Sequence, residues 1–166
     1  WDNNFYALST SGHLLWKFPT KSSVFNSSIV YEDKIYFGSM DDNIYCLSLD
    51  GKLLWKFTTG NAADTIPTLY KGVMYAGSRD QNFYALDAET GKLLWKMKTG
   101  SMLGMYSAVN NDIVYFGSWD GRVYAATLDG KLIWSLKLNG PVDGGFAFLG
   151  DKIFFGSWDC NFYCIT

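Results

Sequence analysis

Three cysteines, one histidine and sixteen acidic residues are the groups in this 166-residue chain that could serve as nucleophiles, bases or ligands. Their spacing decides what chemistry is open to them. Cys46, Cys160 and Cys164 are odd in number, no two are adjacent, and the C-x-x-x-C spacing of the last two fits neither a haem attachment nor a zinc knuckle. His13 stands alone at a turn, so neither a Ser/His/Asp nor a Cys/His relay can be assembled around it. No G-x-x-x-x-G-K-[ST] phosphate loop is present. Among the acids, Asp2, Asp41, Asp80, Asp120 and Asp159 recur at one kind of turn, Asp50, Asp87 and Asp129 at a second, and Asp33, Asp112 and Asp151 at a third. Only Asp64 and Asp143 break this pattern, and as isolated acids they are expected to be solvated loop residues. No catalytic residue and no metal site is expected.

The elements that position these groups are repeats. Gly38-Ser39-Met40-Asp41, Gly77-Ser78-Arg79-Asp80, Gly117-Ser118-Trp119-Asp120 and Gly156-Ser157-Trp158-Asp159 follow one another at steps of 39, 40 and 39 residues. Trp1-Asp2 opens a fifth copy in mid-unit, and the first "WDNNFYAL" and last "WDCNFYCI" agree at five of eight positions. Trp16, Trp55, Trp95 and Trp134 keep the same beat, each ending a Leu-Leu-Trp or Leu-Ile-Trp run. The units are therefore read as about 1–20, 21–59, 60–99, 100–138 and 139–166, forming a single domain segment over 1–166.

Within a unit, short apolar runs alternate with turn residues and no helical period is found, which predicts four strands. In the second unit they are a near Ser28–Tyr31, b over Lys34–Ser39, c over Asn43–Ser48 and d over Lys52–Thr58. Strand c is apolar at both parities, with Tyr45 and Leu47 on one face and Ile44 and Cys46 on the other, so neither sheet face is expected to meet water. The fold class expected is all-β, with β-propeller blades of four antiparallel strands in about four repeats. Each b–c Asp should accept hydrogen bonds from backbone N–H groups two residues on. Gly51, Gly91 and Gly130 should supply positive φ in the c–d turns. Lys52, Lys56, Lys92, Lys96 and Lys131 place charge on the outer strand, where it discourages edge pairing.

At "ALDAETGKLLW", Ala85, Asp87, Thr90, Gly91 and Trp95 reproduce the A-x-D-x-x-T-G-x-x-x-W pattern, and in this the chain resembles the PQQ-type propeller repeats. The resemblance covers essentially the whole chain, although only the third unit is a complete copy. It implies that Trp16, Trp55, Trp95 and Trp134 dock against the neighbouring blade, with Gly51, Gly91 and Gly130 permitting the turn. Ala7, Ala85 and Ala125 would be the small partners, with Cys46 and Cys164 in the place of Ala. WD-type repeats fit less well, because Trp-Asp lies here in the b–c turn and not at the end of strand c. The PQQ-type family includes quinoprotein dehydrogenases, which hold the quinone and calcium in a central funnel, and non-catalytic scaffolds such as the outer-membrane assembly lipoprotein. The adjacent-cysteine pair usual in the dehydrogenases is missing. The expected function is thus a non-catalytic scaffold that binds a protein partner or a small ligand, without cofactor. The alternative is part of a PQQ-dependent dehydrogenase, with PQQ and calcium.

Scaffold positions repeat and binding positions need not, so the most heterogeneous stretch is the place to look for a ligand. The strand-a openings differ most, and Asn26, Asp64, Thr65, Met105, Tyr106 and Asp143 are the candidates at the channel mouth. Lys+Arg 14 against Asp+Glu 16 gives a net charge of -2, which argues against nucleic acid or an anionic membrane surface as partner. No apolar run is long enough to cross a bilayer as a helix. Unpaired thiols point to a reducing compartment, whereas the resemblance implies frequent export, and the compartment stays open between them. The surplus c strand suggests half of an eight-bladed ring, completed by a longer natural chain, as the lack of an initiating Met suggests, or by a second copy in a homodimer.

Overall fold

A computed structural model describes residues 2–166, and among them every regular element is a β-strand. The chain runs β1 (Asn4–Leu8), β2 (Leu14–Pro19), β3 (Ile29–Tyr31), β4 (Lys34–Gly38), β5 (Asn43–Ser48), β6 (Leu53–Thr58), β7 (Thr68–Tyr70), β8 (Val73–Gly77) and β9 (Asn82–Asp87). It continues with β10 (Leu93–Lys98), β11 (Leu103–Asn110), β12 (Ile113–Ser118), β13 (Arg122–Thr127), β14 (Leu132–Lys137), β15 (Phe146–Leu149), β16 (Lys152–Gly156) and β17 (Phe162–Ile165). Consecutive strands pair antiparallel into five blade-like sheets: β1–β2, β3–β6, β7–β10, β11–β14 and β15–β17.

The middle strands carry the core. β5 is buried along Asn43–Leu47, because Ile44 and Cys46 pack towards one neighbouring sheet and Tyr45 and Leu47 towards the other. Aromatic contacts join sheet to sheet, stacked at the first and third interfaces, edge-on between Phe57 and Tyr84 at the second and tilted between Tyr115 and Phe148 at the fourth. Phe5 lies 4.3 Å from Phe37 at 9° across the first interface, and Phe83 lies 3.9 Å from Phe116 at 7° across the third. Offset ring stacking of this kind adds to the area it buries.

Each complete hairpin from the third to the fourth strand of a sheet carries a register shift, as between Cys46 and Leu47 opposite Trp55 and Leu53. The same shift recurs in the β1–β2, β9–β10 and β13–β14 pairs. The bulged residue, Leu15, Leu54, Leu94 or Ile133, is left on the exposed edge. A bulge bends and twists its strand, and here it turns the tryptophan that follows towards the next sheet. The turn between second and third strands is equally regular. The residue after its Asp is left-handed in every copy: Asn3, Asp42, Gln81, Gly121 and Cys160. Cys160 is thus a turn residue, and all three thiols are free.

The first strands of the third and fourth sheets lie against one another. The Ile66 N–H donates to the Met105 carbonyl at 2.9 Å, and Thr68 Oγ1 donates to the Ser107 carbonyl at 2.8 Å. This seam brings the second-to-third-strand turns and the loops that enter the first strands to one end of the molecule.

Candidate functional site

The scaffold of that end is built from the repeated Asp. In each turn one oxygen of Asp41, Asp80, Asp120 or Asp159 accepts the backbone N–H two residues on. The other accepts the hydroxyl of a tyrosine four residues on, Tyr45, Tyr84, Tyr124 or Tyr163. The same oxygen of Asp41, Asp80 and Asp120 also accepts a backbone N–H from the preceding connection, at Lys21, Gly60 and Gly100, each at 2.8 Å. Burial pushes the Asp80 carboxyl up, but donation from Tyr84, Gly60 and Asn82 outweighs it and holds the group below the usual carboxylate range. These aspartates are filled by structural donors. The Asp-x-x-x-Tyr spacing that announces the arrangement is plain in the sequence.

Between Ser and Asp of each turn stands the one residue that the repeat leaves free: Met40, Arg79, Trp119 or Trp158. Ser23, Phe25, Met40 and Arg79 line a pocket of about 230 Å³. Arg79 and Trp119 then share a small cavity of about 40 Å³ with Asp64, Thr65, Met102, Leu103, Met105 and Asp143. Trp119 in turn lies 5.6 Å from Trp158, ring to ring. The four side chains therefore follow one another along a continuous rim, with Trp119 37% and Trp158 65% exposed. Sequence reading passed over them, although a variable residue inside an otherwise fixed Gly-Ser-x-Asp turn is a signal of the kind sought.

The strand-opening candidates divide. Asp64 is buried, contrary to its reading as a solvated acid, and Arg79 grips it with Nε at 3.1 and 3.0 Å and Nη2 at 2.5 Å. Such a forked pair fixes both partners. Asp143 accepts the Met105 N–H at 2.8 Å. Thr65 is buried, and its hydroxyl both donates to the Gly77 carbonyl and accepts the Gly77 N–H, so it ties a strand and has no proton left to donate to a ligand. Tyr106 is 42% exposed, and Asn26 keeps a buried Nδ2 without a partner. Asp64, Thr65, Met105 and Asp143 meet in the small cavity, whereas Asn26 and Tyr106 line neither pocket.

On the outer edge, the Trp16, Trp55 and Trp95 indoles donate to the carbonyls of Leu49, Ala88 and Leu128 at 2.9, 3.0 and 2.8 Å. Each ring covers a glycine of the next sheet. A Cβ on Gly51, Gly91 or Gly130 would stand 2.7, 2.6 or 2.6 Å from it. Trp134 covers no such glycine among the described residues and instead borders a cleft of about 510 Å³ with Tyr115, Ile153 and Ile165. Cys46 is fully buried, whereas Cys164, at the equivalent place in β17, is exposed because no sheet covers that face.

A family model described as outer membrane protein assembly factor BamB, built on PQQ-type repeats, matches residues 2–152. The chain belongs to the PQQ-type repeat family. No curated protein matches the sequence in a direct comparison. Two solved structures of computationally designed proteins share the fold. Ika8 superposes with a TM-score of 0.85 at 17% identity over 98% of this chain and 52% of its own. Ika4 gives 0.78 at 18% identity over 88% of this chain and 92% of its own. This chain thus spans about half the length of Ika8. Family and neighbours together support a β-propeller scaffold. Among the described residues no helix is long and apolar enough to cross a membrane, and no group of three or more His, Cys, Asp or Glu is placed to hold a metal ion.

Proposed function

We propose that the five sheets are successive blades of a β-propeller, and that they form an arc equal to half of an eight-bladed ring. The rim of the arc binds an extended apolar segment of a protein partner, without catalysis. The observation that carries the binding reading is the run Met40, Arg79, Trp119, Trp158. Half-exposed aromatic and thioether side chains in contact at one end of a rigid scaffold are what peptide recognition uses, since large flat side chains bury much area at small entropic cost. Phe25 and Tyr106, 52% and 42% exposed, extend the apolar character of this end. The rim's cation, Arg79, is committed to Asp64, so charge contributes little to what is selected. The family's description as an assembly factor agrees with a protein partner.

The arc reading is supported by the fuller superposition on half of Ika8 than on nearly the whole of Ika4. No core cluster joins the β1–β2 sheet to the β15–β17 sheet among the described residues. In this reading Trp16, Trp55, Trp95 and Trp134 are the docking residues between blades, and Gly51, Gly91 and Gly130 are the sockets.

The quinoprotein alternative is disfavoured by the donor set. PQQ is a polycarboxylate, and its site would need uncommitted cations and calcium-ligating oxygens. At the rim Arg79 is paired, Asp143 faces a backbone N–H, and the neighbours are Met102, Leu103, Met105 and Trp119. These residues do not suit the group.

Peptides selected from a random display library on the intact protein supply the test, their binding followed through the fluorescence anisotropy of a labelled peptide. Binding should fall at least about tenfold in the Trp119→Ala/Trp158→Ala variant, each lost aromatic contact being worth about 1 kcal/mol or more. Equal affinity for that variant refutes the rim. Saturable uptake of PQQ with calcium, with dye-linked turnover of an alcohol or sugar, reverses the choice of function.

A further inference from the structure

The rim is made of three junctions of one kind, and they are not equally filled. At each, the residue between Ser and Asp of one turn stands beside its counterpart in the next sheet. Arg79 and Trp119 leave only about 40 Å³ at the second junction, and Trp119 and Trp158 stand 5.6 Å apart, ring to ring, at the third. Between Met40 and Arg79, at the first, about 230 Å³ stays open, bordered by Ser23 and Phe25. The difference is written in the sequence. Fifteen residues before the variable turn residue the four units carry Phe25, Asp64, Gly104 and Asp143. Asp64 holds Arg79 within its own unit, whereas Met40 has Phe25 at that place and a side chain more slender than the indole that stands in the later turns.

The walls of this opening are fixed before any partner arrives. The Met40 N–H donates to the Ser23 carbonyl at 3.0 Å, Ser39 Oγ reaches the carbonyls of Ser22 and Ser23 at 3.4 and 3.3 Å, and the Arg79 N–H donates to the Ala62 carbonyl at 2.9 Å. The Arg79 guanidinium spends Nε and Nη2 on the buried Asp64. Those bonds lie in its plane, so the plane is held and its faces remain for stacking. A pocket of fixed shape binds without a further ordering cost. Its three principal surfaces, a guanidinium face, a thioether and a phenyl ring, each favour an aromatic ring over an aliphatic chain. An acidic side chain would meet a cation that Asp64 already pairs. Size agrees, since a cavity of roughly 150 Å³ takes a benzene ring, and about 230 Å³ takes a ring as large as indole. We infer that the junction between Met40 and Arg79 is the anchor site of the rim and takes one aromatic side chain of the partner segment. This inference rests on the rim reading above and names the residue type that the partner carries. The incoming ring fills the first junction as the indoles of Trp119 and Trp158 fill the third.

The full chain labelled with ¹³C at its methionine methyl groups reports on the pocket directly. Titration with N-acetyltryptophanamide should shift the Met40 methyl resonance by ring current and leave that of Met74, buried between sheets, in place. N-acetylleucinamide should shift neither. In peptides selected on the protein, replacing one aromatic residue by leucine should weaken binding at least about tenfold. Met40→Trp, which gives this turn the side chain that the third and fourth turns carry, fills the pocket. It should weaken the aromatic peptide by a similar factor and abolish the difference between the two peptides. Peptides that need Trp119 and Trp158 but bind equally well with leucine, or bind the Met40→Trp variant undiminished, overturn the anchor and leave the rim standing. Peptides that lose affinity for Met40→Trp but not for Trp119→Ala/Trp158→Ala overturn the rim and leave the aromatic pocket standing. A Met40 methyl unmoved by N-acetyltryptophanamide up to its solubility limit overturns the inference.

Discussion

Tyr36 and Tyr75 occupy the same place in successive sheets, both nearly inaccessible, but only Tyr36 finds an acceptor, the Ala88 carbonyl at 3.2 Å. The Tyr75 hydroxyl is buried without a partner, and burial pushes its pKa up to about 12. An unmade buried hydrogen bond costs the full desolvation of the group, whereas a made one contributes about 1 kcal/mol net. Tyr36→Phe is therefore expected to lower stability by about 1 kcal/mol, and Tyr75→Phe to leave it unchanged or raise it by up to about 1 kcal/mol. Urea unfolding of the two variants in parallel measures the difference, and an equal loss in both would show that Tyr75 has a partner. At this scale the sequence foretold the aspartate turns but not Asp64. Reading that acid as solvated was reasonable from its loop, since burial came from Arg79, fifteen residues away in the next turn, and a single chain gives no sign of which acid will meet which cation.

At the scale of the element, the strand boundaries were legible because apolar runs and turn residues alternate without a helical period. The two-sided burial of β5 was legible from its two apolar parities. The bulge beside each tryptophan was not, since a one-residue register shift alters no composition and shows only when partners are counted across the hairpin. That bulge sends Trp55 over Gly91, which gives a controlled experiment. Gly72 and Gly91 have similar φ, +75° and +69°, but a Cβ at Gly72 meets nothing, whereas at Gly91 it stands 2.6 Å from the Trp55 ring. Gly72→Ala should cost about 1 kcal/mol, the strain of a left-handed alanine. Gly91→Ala should cost about 2–4 kcal/mol, because overpacking against a rigid ring is added. Thermal melts that gave equal losses would mean that Trp55 yields freely and does not hold the sheets together.

For the whole molecule, stability in a repeat protein is a sum over units and the interfaces between them, so position along the arc sets how firmly each sheet is held. The sheet β7–β10 has neighbours on both faces, through Met74, Ala76, Tyr84 and Leu86 on one side and Tyr75, Phe83 and Ala85 on the other. Among the described residues the β1–β2 and β15–β17 sheets each pack through one face only, and the other face is exposed at Tyr6 and Leu8 and at Phe162 and Cys164. The period of the sequence announced this linear order, but the rim that the order creates could be read only once successive turns were seen to touch, as Trp119 touches Trp158. Local openings in such an array start where interfaces are fewest. Amide hydrogen exchange of the chain should therefore be slowest in β8, β9, β12 and β13 and fastest in β1, β2, β15 and β17. A flat profile, with the end sheets as protected as β8 and β9, would mean that the array closes on itself within one chain.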